Sequence, residues 1–508
     1  MKFASGIRIH LLFGLITGIL LLVVIQARRE PQFTFMDVVR MAEEKSAHKP
    51  EPLVNVAPEF LRLNYDQYRD IRWKNDRSLW RAEGAPFQIR FFHPGYIFNR
   101  LVEMFVLPDS PDQPIRYSPE FFDYGKNVFP EKLPKTGGYA GFRVHYPLNQ
   151  PGVLDELCVF LGASYFRAVP KDLKYGVSAR GLALDTYIPG KVEEFPVFTK
   201  FWLEKPDSFA KEFHLMALLE SESVTGAYRF RVIPGVETRT DVEAVLFFRQ
   251  TPKMIGYAPL SSMFWFGENT SNTFGDFRPE VHDSDGVLLQ KENGEWVWRP
   301  LTWGRQIQTN LFPDTNPKGF GLLQRDRDFS HYQDLEALYH LRPSVWVRPL
   351  EGFNAGSLFL MQLPTKNEYA DNVTVFWKPD TAPAPNQPHR IRYEIRWYRD
   401  AEDLPPIGKC LSTRVDDQEK ENQRHFYLEF GGGSLKNFKA DHPPGWEAYS
   451  PSGAKISKPQ LLWNEYNNSW RFSFVATKQP GQKPQEILCR LTGPTGHLTE
   501  TWSYTWLP

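Results

Sequence analysis

Apolar and polar positions recur with two periods along this chain, and the change of period organises it. Between residues 35 and 47, Phe35, Val38, Val39 and Ala42 share one helical face, while Glu43, Glu44 and Lys45 point away. A short amphipathic helix is expected there, ended by Pro50 and Pro52. Residues 61–73 mix Tyr65, Tyr68 and Trp73 with Arg62, Asp66, Arg69, Asp70 and Arg72, and fit neither period. From Phe87 the period becomes two. Phe87, Ile89 and Phe91 alternate with Gln88 and Arg90, and Leu101 and Phe105 follow suit after the Pro94–Gly95 turn, with Glu103 the polar exception. Further strands are expected near 141–145, 178–187, 212–220, 226–232 and 241–248. Residues 212–220 alternate poorly, as a central strand buried on both faces would; the run 158–161 is too short to assign.

Four prolines fall within residues 379–388, which excludes a helix or a central strand there and predicts a linker. Beyond it, Ile391, Tyr393, Ile395 and Trp397 alternate with Arg392, Glu394 and Arg396, and residues 425–430 and 470–475 repeat the theme. The expected organisation is a large domain over 28–378, the linker, and a smaller β-sandwich over 389–508.

Composition supports a mostly β chain. With 508 residues it exceeds one ordinary core, and 35 Gly and 42 Pro punctuate runs rich in 39 Phe, 21 Tyr and 15 Trp. Sixty basic residues balance sixty acidic ones, so no net field attracts nucleic acid. Cys158, Cys410 and Cys489 cannot form a dense disulfide framework or a thiolate metal site; a Cys410–Cys489 pair and buried free thiols both stay open. At the N-terminus, Lys2 and Arg8 precede an apolar run from Leu11 to Ile25. Residues 1–27 read as a signal peptide or a retained membrane anchor, because Ile25 spoils the cleavage signal ending at Ala27. Either way the body is expected outside the cytoplasmic membrane, touching it only through this segment.

Two acidic clusters are the candidate chemistry. One is Arg-Pro-Glu-Val-His-Asp-Ser-Asp-Gly from Arg278; the other is Glu-Tyr-Ala-Asp-Asn from Glu368. Both lie between strand-like runs. Acid/base cleavage of a glycosidic bond needs two carboxyl groups, one donating a proton and one activating water. Solvated turns would leave the same pattern, and both readings stay open on spacing alone. Asp-Ser-Asp-Gly is a fragment of a calcium loop without its other ligands, and the histidines form no close set in sequence, so neither metal nor cofactor is expected. Residues 321–343 are polar, interleaved with Tyr and Arg, and read as a functional loop. Tyr165, Arg167 and Arg180 form another polar and aromatic patch that either binds ligand or braces loops. No phosphate loop, dinucleotide fingerprint or nucleophile elbow is present.

Several stretches carry a specific resemblance: Tyr165-Phe-Arg-Ala-Val, Tyr175-Gly-Val-Ser-Ala-Arg-Gly-Leu-Ala, Phe264-Trp-Phe-Gly-Glu-Asn, the Arg278 cluster, and Gly319-Phe-Gly-Leu-Leu-Gln-Arg-Asp-Arg with His331-Tyr-Gln-Asp. In these the chain resembles the periplasmic glucan biosynthesis (MdoG/OpgG) family over nearly all its length after the export segment. The resemblance implies a large N-terminal β-sandwich with a cleft, joined to a smaller immunoglobulin-like sandwich in the periplasm. It implies a part in making or tailoring osmoregulated β-1,2-glucans, by inverting endo-hydrolysis in some relatives. Glucan binding beside the inner-membrane glucan synthase, or glucan transfer, are the alternatives. It places the catalytic pair on Asp371, the acid, and Asp283, the base side acting through water. Glu368 is the accompanying acid, and Tyr339 and Arg342 belong to a loop over the cleft. Glu280, His282, Tyr165, Arg167, Arg180 and Trp265 are candidate substrate contacts.

Overall fold

The computed structural model describes residues 33–507 except 52–55, 130–137, 271–273, 417–421, 480, 482–483 and 495. The expected export segment, residues 1–27, lies outside the described residues. Among the described residues, no helix is long and apolar enough to cross a membrane.

The chain is mostly β, as its period-two pattern predicts. One fourteen-stranded sheet and one ten-stranded sheet face each other across the larger core. Aromatic rings bridge them: Phe142 meets Phe201 at 5.0 Å, and Phe160 meets Phe230 at 5.2 Å, both edge to face. The strand Phe213–Glu220 fails to alternate because both faces are buried. Phe213, Leu215 and Ala217 enter the inter-sheet core, while Met216 and Leu218 meet Val38, Val39 and Ala42 of the helix Phe35–Ser46. That helix starts at a capping box in which Thr34 N–H donates to Asp37 at 2.7 Å. The ambiguous residues 61–73 resolve into two short helices, Pro58–Leu61 and Tyr65–Arg69, and the strand Arg72–Trp73.

The proline-rich segment differs from the expected linker. The strand Pro388–Tyr398 lies at the heart of the fourteen-stranded sheet, between Thr238–Phe248 and Ser344–Glu351. Its Ile391, Tyr393, Ile395 and Trp397 belong to the larger core. The prolines end Val373–Pro379 of the ten-stranded sheet and carry the chain across to the opposite sheet. They mark a crossover within the large sandwich, and residues 389–398 belong to it.

The smaller sandwich begins after Tyr398. Its four-stranded sheet runs in the order Lys409–Asp416, Gln423–Gly431, Ser469–Thr477, Lys455–Asn464. The opposing strands, Gly445–Tyr449, Gln485–Gly493 and Thr501–Trp506, extend the fourteen-stranded sheet through a parallel pairing of Trp298 with Trp502. The second core therefore mixes Trp296, Trp298 and Trp346 of the large domain with Phe426, Phe474 and Trp502 of the small one. All three cysteines are buried and free.

Candidate functional site

The two acidic clusters come together where strands of both sheets begin. Asp283 follows the strand Val281–His282, which pairs with Phe264–Phe266. Its N–H donates to Met263 O at 2.8 Å. Asp371 precedes Val373–Pro379. Between them, Asn372 ties the two stretches together: Phe264 N–H donates to Asn372 Oδ1 at 2.8 Å, and Asn372 Nδ2 donates to Phe264 O at 2.9 Å.

The two aspartates occupy different surroundings. Asp283 is only 9% exposed, with Arg342 Nε 3.4 Å from its Oδ1. Burial pushes its carboxyl above the ordinary range; Arg342 and Arg167 pull it down, and the charge of Asp371 pushes it up. Asp371 has a third of its side chain open, 34%, and its Oδ2 lies 3.6 Å from Arg167 Nη2. Arg167 is held by a 2.6 Å hydrogen bond from its Nε to Ser178.

Arg278 organises the third carboxylate. Its Nη1 lies 2.6 Å from Glu368 and 2.7 Å from Asp334, while its Nη2 lies 2.8 Å from Asp276. Glu368 also accepts from Tyr339 O–H at 3.1 Å. Burial first, then Glu368 and Asp283, push the Tyr339 phenol up, so it stays a hydrogen-bond donor at neutral pH. The Arg342 guanidinium lies over the Tyr339 ring, 5.4 Å from its centre, and its Nη1 donates to Tyr175 O. The approach is tight: a Cβ on Gly176 would sit 3.1 Å from Arg342 Cβ. Tyr339 and Arg342 thus form a braced flap beside Asp283.

The structure divides the remaining candidates. Tyr165 and Arg167 stay near Asp371, whose charge helps burial raise the Tyr165 phenol. Arg180 is buried, binds Glu193 at 2.9 Å and lies over Tyr165 and Phe195, which is a brace. Trp265 packs beside the cluster that holds Phe266 and Tyr339. Glu280 and His282 sit with Asp285 in a small cavity against the second domain rather than beside Asp283. Neighbouring residues on a strand face opposite ways, so one motif feeds two places.

That cavity is the part the sequence did not reveal. His282 Nε2 bonds Glu280 at 2.8 Å, its Nδ1 bonds Gln324 at 3.0 Å, and its ring stacks on Phe264. Burial alone would lower His282; Asp285 and Glu280 overcome it and raise it to about 9. Asp326 bonds His331 at 2.7 Å, which lifts His331 to about 9. Glu268 accepts from Ser412 and Thr413 of the small domain and is pushed up by burial, with Asp326 and Glu280 adding to it. Two trios, Glu280–Asp326–His331 and Glu280–His282–Asp285, have ligand atoms close enough for a single cation. Glu280, His282 and Asp285 come from one short run, whereas Asp326 and His331 join Glu280 only through the fold. Residues 321–343 are shared between places: Tyr339 bonds Glu368 and Arg342 lies beside Asp283, whereas Arg325 binds the fully buried Glu500 at 2.6 and 2.9 Å.

Fold and site together define a two-sandwich β protein whose larger domain brings carboxylates and arginines from distant parts of the chain together. The chain belongs to the family described as "Periplasmic glucan biosynthesis protein, MdoG", whose model matches residues 33–506. The glucans biosynthesis protein G of Ralstonia nicotianae is 40% identical over 95% of this chain and 98% of its own length. Proteins of the same name from Vibrio cholerae and Pseudomonas aeruginosa are 41% and 38% identical, covering 92% and 93% of this chain and 86% and 92% of theirs.

Proposed function

We propose that this protein acts in the biosynthesis or tailoring of osmoregulated periplasmic glucans, as an inverting endo-hydrolase of β-1,2-glucan. The observation that carries the reading is the unequal pair: Asp283 buried and raised, Asp371 open and paired with an arginine. Asp371, the more open of the two, is assigned the general acid. Asp283 lies too deep to attack a sugar carbon directly. It is assigned the base, taking a proton from water directly or through an ordered relay, and water attack of this kind inverts the anomeric centre. A raised carboxylate is the stronger base, and the Tyr339–Arg342 flap limits bulk water at that point. Glu368, held by Arg278 and Tyr339, positions the flap.

The full chain is incubated with linear β-1,2-glucan, and products are followed by size and by anomeric NMR. Shorter chains whose new ends first appear as the α-anomer are expected. Binding without cleavage would replace this reading with a non-catalytic partner of the inner-membrane glucan synthase; cyclic products, each one water lighter than the linear chain, would indicate transfer.

A further inference from the structure

We infer that a second glucan-binding site lies at the junction of the two sandwiches and takes the same polymer as it leaves the cleft. This rests on the glucan reading above. Trp265, beside the Tyr339 cluster, stacks on Phe274 with ring centres 5.7 Å apart and planes at 11°. Phe274 in turn meets Trp303, 5.0 Å away at 58°. Trp303 forms one wall of a cavity of about 390 Å³, which lies within the range of small-ligand sites. Arg305 and Gln306 line it from the same loop; Arg424, Tyr504 and Thr505 line it from the small sandwich. Three rings therefore lead from the cleft to a cavity with an aromatic wall, two guanidinium groups, an amide and hydroxyls.

This set suits a neutral polyhydroxylated chain. Ring faces stack on the apolar face of a sugar, and arginine, amide and hydroxyl groups bond its oxygens. Among the described lining residues there is no carboxylate, so the cavity offers binding without the acid/base pair of the cleft. Among the described residues, the indole Nε1 groups of Trp265 and Trp303, at the two ends of the ring path, are buried and lack a hydrogen-bond partner. The small sandwich thus supplies one wall of the site. A chain long enough to engage both places gains affinity through the effective concentration of its second contact.

The test uses the full chain carrying Asp283→Asn and Asp371→Asn, which stops turnover, titrated calorimetrically with short and long linear β-1,2-glucans. The parent is expected to bind long chains tighter than short ones. Trp303→Ala and Arg305→Ala should each weaken long-chain binding by about tenfold and leave short-chain binding within about twofold. Arg305 is exposed, so its variant decides the matter if Trp303→Ala melts early. Unchanged long-chain affinity in the Arg305 variant, or equal losses for short and long chains, overturns the second site while the cleft reading stands. A parent that binds no glucan of either length overturns both.

Discussion

The Asp283–Asp371 site and the domain junction hold two carboxylate groups that share one short run, residues 278–286, which gives Asp283 to the first and Glu280 and Asp285 to the second, yet they differ in what surrounds them. In the first, each acid meets a cation or a phenol: Arg342 at Asp283, Arg167 at Asp371, Arg278 and Tyr339 at Glu368. At the junction, Glu268, Glu280, Asp285 and Asp326 crowd one another around two histidines, and Ser412 and Thr413 of the small sandwich close over them. Burial raises Glu268 and Asp326 just as it raises Asp283. A displaced carboxyl is therefore no sufficient mark of chemistry; what sets Asp283 apart is its partner Asp371, whose side chain is 34% exposed, whereas Glu268, Asp285 and Asp326 are all largely buried.

The largest effect that sharpens this contrast falls on the cleft. Asp283→Asn and Asp371→Asn should each lower kcat on β-1,2-glucan by about 10²–10⁴-fold, the usual worth of a general acid or base, with binding nearly unchanged. Glu268→Gln should leave kcat within about threefold of the parent. A Glu268→Gln loss as large as the aspartate losses would erase the distinction between the groups.

A stability measurement approaches the contrast from the other side. Arg325 makes a two-pronged pair with Glu500, which is fully buried, and lies 3.5 Å over the Trp298 ring. Removing one partner strands a buried charge, so Arg325→Ala should cost about 3–5 kcal/mol in denaturant unfolding. Where the variant remains folded, its kcat should hold, because Arg325 touches no cleft residue. Loss of kcat at intact folding would instead couple the junction to the chemistry.

The crowded junction also predicts how stability follows pH. His282 and His331 are each raised to about 9 from an ordinary 6.5, so the folded state favours their charged forms. That stabilisation is complete below pH 6.5 and is lost as pH rises through 9. Glu268, pushed up to about 8, holds a proton that the unfolded chain has released and adds to the fall up to that pH, whereas Asp326, raised to about 6, makes its contribution below this window. Melting temperature should therefore drop between about pH 6.5 and 9, and the drop should be shallower in Glu268→Gln. A flat profile would contradict the crowding.

How much of this was legible in the sequence depended on the range of the interaction. The amphipathic helix, the buried strand Phe213–Glu220 and the period-two strands are written in neighbouring residues, and they fold as their pattern predicts. The prolines of 379–388 looked like a linker because a crossover and a linker break a strand in the same way. Only the pairing of Pro388–Tyr398 with Thr238–Phe248 separates them, and that pairing is remote in sequence. The same holds for the site. The acidic clusters of Asp283 and Asp371 are visible as short motifs and Tyr339 is singled out by the resemblance, whereas the Arg278 hub and the meeting of Glu268 with Asp326 exist only after folding. His282 neighbours Asp283 in sequence yet lines the junction cavity, because adjacent strand residues face opposite ways.

The smallest effect is the most specific, since it separates the forces on one carboxyl. Burial raises Asp283, Arg342 lowers it, and Asp371 raises it. Replacing Arg342 by Gln removes a positive charge 3.4 Å away, so the Asp283 carboxyl should titrate at higher pH. The acid limb of kcat/KM, which reports the ionisation of an essential base in the free enzyme, should then move toward neutral pH. Asp371→Asn removes a negative charge and should move the Asp283 titration the opposite way, read by carboxyl-carbon NMR because that variant is too slow for kinetics. Opposite shifts from the two variants require both charges to act on one buried base. Shifts in the same direction would mean that rearrangement, rather than charge, governs Asp283, and the assignment of base and acid within the pair would lose its electrostatic support.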